Sequence, residues 1–146
     1  MFKKIIIAAT LAVSGAAVSA PAMANDIYIY INQFGWGNSA GGTQSGTGNA
    51  IGAFQDGWWN SSTHHQSGHG NVAASGQSGW DNQSETWQNG NFNEAGVGQF
   101  GSNHTSVLTQ DGNGNVAAGV QVGDGCTAAV DQNGSGNVAA FVQVCP

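Results

Sequence analysis

The sequence predicts an all-β protein, a β-solenoid of about five 22-residue rungs made of two stacked parallel sheets of cross-β amyloid type. The first observation behind this is a glutamine every 11 residues: Gln33, Gln44, Gln55, Gln66, Gln77, Gln88, Gln99, Gln110, Gln121, Gln132 and Gln143. The second is an asparagine five residues after most of them: Asn38, Asn49, Asn60, Asn71, Asn82, Asn93, Asn115 and Asn137, with His104 and Cys126 in the two remaining places. The third is a glycine two residues after each of the first ten glutamines, from Gly35 to Gly134.

Alternate units resemble each other more closely, which makes 22 the structural period. QSGTGNAIGAF, QSGHGNVAASG, QDGNGNVAAGV and QNGSGNVAAFV form one set; QFGWGNSAGGT, QDGWWNSSTHH and QSGWDNQSETW form the other, with Trp36, Trp58 and Trp80 spaced by 22. Each unit reads as one turn and one strand. The Gln-x-Gly-x-x-Asn part supplies turn formers that tolerate positive φ, and the remainder is short and alternating. Taking the repeated Gln as inward, the residues two and four before it also point inward. On one sheet these are Ile29/Ile31, Ile51/Ala53, Ala73/Ser75, Ala95/Val97, Ala117/Gly119 and Ala139/Phe141. On the other they are Ala40/Gly42, Ser62/His64, Ser84/Thr86, Ser106/Leu108 and Ala128/Val130. No carboxylate falls inward; Glu85, Glu94 and Asp131 point out, and Asp56, Asp81, Asp111 and Asp124 are expected in turns. So small a core holds because stacked Gln and Asn side chains bond to their copies above and below. Left unpaired and buried, the same amides would be costly.

The chain divides into residues 1–24, a secretory signal; 25–32, an alternating N-terminal strand; and 33–146, the repeats. Lys3 and Lys4, an apolar run from Ile5 to about Val18, and Ala22-Met23-Ala24 follow the order of a signal peptide, with cleavage expected between Ala24 and Asn25. Removing Lys3 and Lys4 takes the net charge from -6 to -8 and leaves no Lys or Arg. A chain without cations has little means of gripping phosphates, so no nucleic acid is expected as a partner. No later segment is apolar enough to span a bilayer.

Both ends of the stack read as open. Ile27-Tyr28-Ile29-Tyr30-Ile31 is an uncharged alternating strand, and Phe141-Val142-Gln143-Val144 is strand-like too. Head-to-tail strand pairing that never closes builds a filament, so the expected partner is the chain itself.

The pattern Gln-x-Gly-x-x-Asn-x-Ala-x-x-x-Gln resembles the curlin repeat. Tyr30 to Ala40 looks like the opening repeat of the major curli subunit, and His104-Thr105-Ser106-Val107-Leu108-Thr109-Gln110 followed by DGNGNVAA looks like a later one. The resemblance covers nearly the whole chain after the signal. It implies a structural subunit of extracellular curli-type amyloid fibres (pilus- or fimbria-like) at the bacterial cell surface, supporting adhesion and biofilm matrix. It also implies a nucleator subunit and the outer-membrane curli secretion machinery as partners. The basic C-terminal segment of the minor, nucleating subunit has no counterpart here, which favours the major role over the minor one.

A few residues stand outside this pattern. Cys126 holds the Asn place of its turn and Cys145 the Gly place one rung later, within disulfide reach in an oxidising compartment. Two free thiols or intermolecular bridges are the alternatives. His64, His65 and His69 point inward, outward and into a turn, so no metal site is expected, and no cofactor. Trp36, Trp58 and Trp80 are expected to stack on one another along the turns. Ser, His and Asp recur as repeat fill without a singular nucleophile and base, so no catalytic residue and no enzyme is expected. The competing reading is a monomeric secreted β-solenoid that binds glycan or ice through a regular outward face. The irregular line Thr43, His65, Trp87, Thr109, Asp131 speaks against it.

Overall fold

A computed structural model describes residues 6–11, 22–25 and 28–146. Two parallel sheets face each other. One is seven-stranded, in the order β1 (Ile6–Leu11), β3 (Tyr28–Trp36), β5 (Ala50–Trp58), β7 (Val72–Trp80), β9 (Glu94–Ser102), β11 (Val116–Asp124) and β13 (Val138–Val144). The other is six-stranded: β2 (Ala22–Asn25), β4 (Ser39–Thr47), β6 (Ser61–His69), β8 (Gln83–Asn91), β10 (Thr105–Asn113) and β12 (Thr127–Ser135). The chain alternates between sheets at every turn, which makes the fold a β-solenoid. Each strand pairs with the one two places on in an unbroken 22-residue register, as in Gln33↔Gln55, Gln55↔Gln77 and Gln77↔Gln99.

β1 and all of β2 but Asn25 lie within the segment read as a secretory signal, paired to β3 and β4. Lys3, Lys4, the apolar run beyond Leu11, Asp26 and Ile27 lie outside the described residues.

The strands are longer and the turns shorter than the repeat suggested. Tyr28–Asn32, from the expected N-terminal strand, and Gln33–Trp36, from the expected turn, form one nine-residue strand, Tyr28–Trp36, with only Gly37 and Asn38 outside strands before β4 begins. Asp56, Asp111 and Asp124 therefore sit in strands, and only Asp81 lies at a corner. His69 likewise ends β6 instead of entering a turn.

Positive φ also falls elsewhere than on the ladder asparagines. It belongs to the residue before each of them, including Gly37 (68°), Trp59 (61°), Asp81 (54°) and Phe92 (57°), and to the glycine two places after each Gln. The second position explains the obligatory glycine. At Gly79 a Cβ would stand 1.9 Å from the carbonyl oxygen of Gly101 in the next rung. Strands here bend while two backbones pass too closely for a side chain.

The core follows the inward columns. Ile31, Ala40 and Ala53 form one apolar cluster with Ile29 against it, and Val97, Leu108 and Ala117 form another with Val130. Between them lies a polar middle of buried Ser62, His64, Ser75, Ser84 and Thr86.

Candidate functional site

The residues with a special arrangement are the ladders and the two ends they reach. In the first sheet Gln33 Nε2 donates to Gln55 Oε1 at 2.6 Å, and the series continues through Gln77, Gln99 and Gln121 to Gln143. In the second, Gln44 Nε2 donates to Gln66 Oε1 at 2.8 Å, and so on through Gln88 and Gln110 to Gln132. The second Nε2 hydrogen crosses to the first residue of a strand on the other sheet, as Gln55 does to the Ser39 carbonyl at 2.8 Å. Each ladder thus ties rung to rung and sheet to sheet in a buried interior where unpaired amides are costly.

The asparagines run with the opposite sense at the corners. Asn38 Nδ2 donates to the Phe34 carbonyl at 2.7 Å and to the Gly57 carbonyl at 2.9 Å, while its Oδ1 accepts the Asn60 amide at 3.0 Å. Asn49, Asn60, Asn71, Asn93 and Asn115 repeat all three bonds. Asn82 keeps the bonds to Gly101 and to the next amide, and Asn137 the bond four residues back. His104 reproduces the pattern with an imidazole: Nε2 donates to the Phe100 carbonyl at 3.2 Å, and Nδ1 accepts the Cys126 amide at 3.1 Å. That pair of bonds requires the neutral Nε2–H tautomer.

Cys126 and Cys145 are joined in a disulfide, with their Cα atoms 5.6 Å apart. The asparagine at 38 reaches the glycine 19 residues on, and Cys145 is 19 residues beyond Cys126. The covalent bond therefore occupies the site of a repeated hydrogen bond and ties β13 to the turn after β11. Closing a loop of this size constrains the open state by about 3 kcal/mol. Reduction should accelerate amide exchange in Val138–Val144 by about two orders of magnitude and leave Gln55–Gln77 protected. Unchanged protection of β13 would show that the staple adds nothing to the last rung.

His64 is the anomaly of the interior. Its Nε2 meets Ser62 Oγ at 2.9 Å and Ser75 Oγ at 3.1 Å, and its Nδ1 has no partner. Burial, and then the neighbouring His65, depress its pKa from the usual 6.5 to about 4. No buried Asp or Glu stands among the described residues to hold an imidazolium. The folded state therefore takes up its proton later than the unfolded chain. Stability is complete above pH 6.5, falls as the pH drops toward 4, and levels off below that. The loss at pH 5 is about 2 kcal/mol. Denaturant midpoints at pH 7.5 and 5 should show it, and His64→Thr, which copies Thr86 at the next rung, should remove most of the difference. An equal shift in both chains would assign the acid sensitivity elsewhere.

His65 and His69 lie apart from His64 and bond to Thr43 and Thr47 through Nδ1, at 2.7 and 2.5 Å. Among the described residues no group of three or more His, Cys, Asp and Glu stands close enough to share a metal ion. Trp36, Trp58 and Trp80 occupy one column, exposed at strand ends. The expected ring-on-ring stack is not formed there: among the described residues the close ring pairs are Phe34–Phe54, His65–Trp87 and His69–Phe92. At the corners the rings project into solvent and splay.

The ends of the ladders differ from their middles. Gln33 and Gln44 are buried, yet their Oε1 atoms have no donor. The preceding register positions hold Leu11 and Ala22, residue types with no side-chain N–H. At the other end Gln143 Nε2 donates to the Thr127 carbonyl and Gln132 Nε2 to the Val116 carbonyl. Each keeps one N–H without a protein acceptor among the described residues. The sequence shows the ladders but not this mismatch, nor the bonds of Ser62 and Ser75 to His64.

Fold and ladders together define a β-solenoid stabilised by stacked amides. Residues 85–112, spanning β8 to β10, match the family model of the Curlin associated repeat. The match supports a relationship to the curlin family, a family of structural proteins, over those residues. Comparisons with curated proteins and with solved structures found no match.

Proposed function

We propose that this chain is a secreted structural subunit that polymerises end to end into an extracellular amyloid fibre at the cell surface. One observation carries the reading. Two buried acceptors, Gln33 Oε1 and Gln44 Oε1, lack donors at one end, and two amides with spare N–H groups stand at the other. Any rung that covers them without supplying a donor leaves a buried unpaired amide, at a cost of about 1–3 kcal/mol; a second copy of the same ladder covers and pairs them without a new kind of contact. The edge of β13, and that of β3 once β1 is removed, add backbone groups that pair in the same step.

In this reading residues 1–24 are a signal removed after Ala24. Until then β1 and β2 occupy the edge that a neighbouring copy would take. The curlin relationship extends the proposal to nucleation by a minor subunit, export by outer-membrane curli machinery, and a part in adhesion and biofilm matrix, with this chain as the major component. The anionic surface left after removal of Lys3 and Lys4 keeps the free subunit soluble.

Purified chain diluted from denaturant should grow fibres after a lag, with reflections near about 4.7 and 10 Å. Gln33→Ala and Gln143→Ala should each slow elongation severalfold. A chain that stays monomeric even when seeded defeats the proposal.

A further inference from the structure

We propose that successive subunits in the fibre are related by a half turn about its axis, so that the first sheet of one copy continues into the second sheet of the next. The inference rests on the end-to-end reading above and goes on to the geometry of the joint.

The parity of the strands carries it. From β3 to β13 the stack alternates between sheets and both begins and ends on the same one. Beyond β13 the pattern breaks: Cys145 holds the glycine place, locked to Cys126, and Pro146 has no amide hydrogen to donate. At the other end the repeat breaks at Leu11 and Ala22. The repeating body therefore has one more strand in the first sheet than in the second.

Consider an incoming copy placed without rotation. Its β3 lies on β13, and its β4 then stands two strand spacings from β12. A gap one strand wide opens in the second sheet. The backbone of β12, the spare N–H of Gln132 and the acceptor of the incoming Gln44 all stay unpaired. With a half turn the gap closes. The incoming β3 continues the second sheet on β12, and the incoming β4 continues the first on β13. Continuing the register, Gln132 donates to the incoming Gln33 and Gln143 to the incoming Gln44, which satisfies both orphaned acceptors. The exchange is possible because every 11-residue unit, on either sheet, carries its Gln at the same place.

The inward columns agree. The rotated joint puts Ile29 and Ile31 of the incoming copy on Ala128 and Val130, apolar on apolar. It also puts Gly42 over Phe141. Phe141 already lies over the inward Gly119, where a Cβ would collide with its ring. A glycine on the other side leaves room for the same ring, whereas the unrotated joint sets Phe141 against Ile31. At the corner, Asn137 Oδ1 is placed to take the amide of the incoming Asn38, as Asn115 Oδ1 takes that of Asn137 at 3.0 Å.

Cross-linking across the joint decides between the two arrangements. Thr43, Asn32 and Val142 all lie on outward strand positions, clear of the ladders. Fibres of the double variant Thr43→Cys/Val142→Cys, treated with a short bismaleimide, should yield a denaturant-resistant ladder of multimers. Fibres of Asn32→Cys/Val142→Cys should remain almost wholly monomeric on the same gel. The opposite result means stacking without rotation and overturns the proposal. Well-formed fibres with no ladder from either variant overturn it too, because the joint then lies elsewhere. Fibre diffraction of the unsubstituted chain is recorded first: failure to form fibres at all is failure of the end-to-end reading, and it is seen before any cross-link is made.

Discussion

Replacing Gly79 with alanine should abolish the continuous stack. Its φ is 130°, where side chains are strained, and the new Cβ would stand 1.9 Å from the Gly101 carbonyl oxygen. Neither partner can give way cheaply, since both are backbone in the middle of paired strands. The rungs must separate, and the hydrogen bonds of β7 to β9 and of the Asn82 amide to Gly101 go with them. A loss of at least about 5 kcal/mol is expected, in the range reserved for backbone disruption. Gly76→Ala is the control. Gly76 lies on the outer face of the same strand with nothing within 4 Å of its Cβ direction, so the change should stay within about 0.5 kcal/mol. Denaturant unfolding of the two variants side by side would test the contrast. Equal stabilities would mean that rung spacing is not set by these glycines.

Gln77→Leu is expected to cost about 3–5 kcal/mol, because it cuts the ladder at its centre. Gln77 Nε2 reaches Gln99 Oε1 at 2.8 Å, the Ser61 carbonyl at 2.8 Å and the Asn82 carbonyl at 3.0 Å. Its Oε1 accepts from Gln55 at 2.7 Å. Leucine fills the space and supplies none of these, leaving Gln99 Oε1 buried and without its donor. The same change at Gln143, which has one neighbour fewer and a part-exposed position, should cost about 1 kcal/mol. Denaturant midpoints of the pair measure the difference. If the central and terminal losses are alike, the amides act through volume and not through hydrogen bonding.

How far the sequence reveals this molecule depends on the length over which a signal repeats. The Gln positions, spaced by 11 without a missed step, with Asn or its two stand-ins His104 and Cys126 five places on, were sufficient to place the inward pairs. Ile51 and Ala53, Ser62 and His64, Ser106 and Leu108 are all buried as the alternation requires. Strand ends were less legible. Gly and Asn together suggest a broad turn, yet Gly35 and Gly57 lie inside strands, where glycine answers to a carbonyl in the neighbouring rung. A contact 22 residues away leaves no local trace in composition.

The sequence by itself determined the period, the face each residue shows and the residues that form the ladders, because a strand side chain can choose only between two directions and a repeat forces the same choice every time. Only the tertiary structure decided which bonds the ladders make and where they stop. His104 can stand in for an asparagine because its two ring nitrogens meet a carbonyl and an amide on different rungs. Cys126 and Cys145 replace a hydrogen bond by a covalent one because the corner brings positions 19 apart together. Gln33 and Gln44 keep unpaired acceptors because the rung before them carries no amide side chain. Each is a relation between successive rungs, and hydrogen bonding between rungs exists only once the chain has closed its turns.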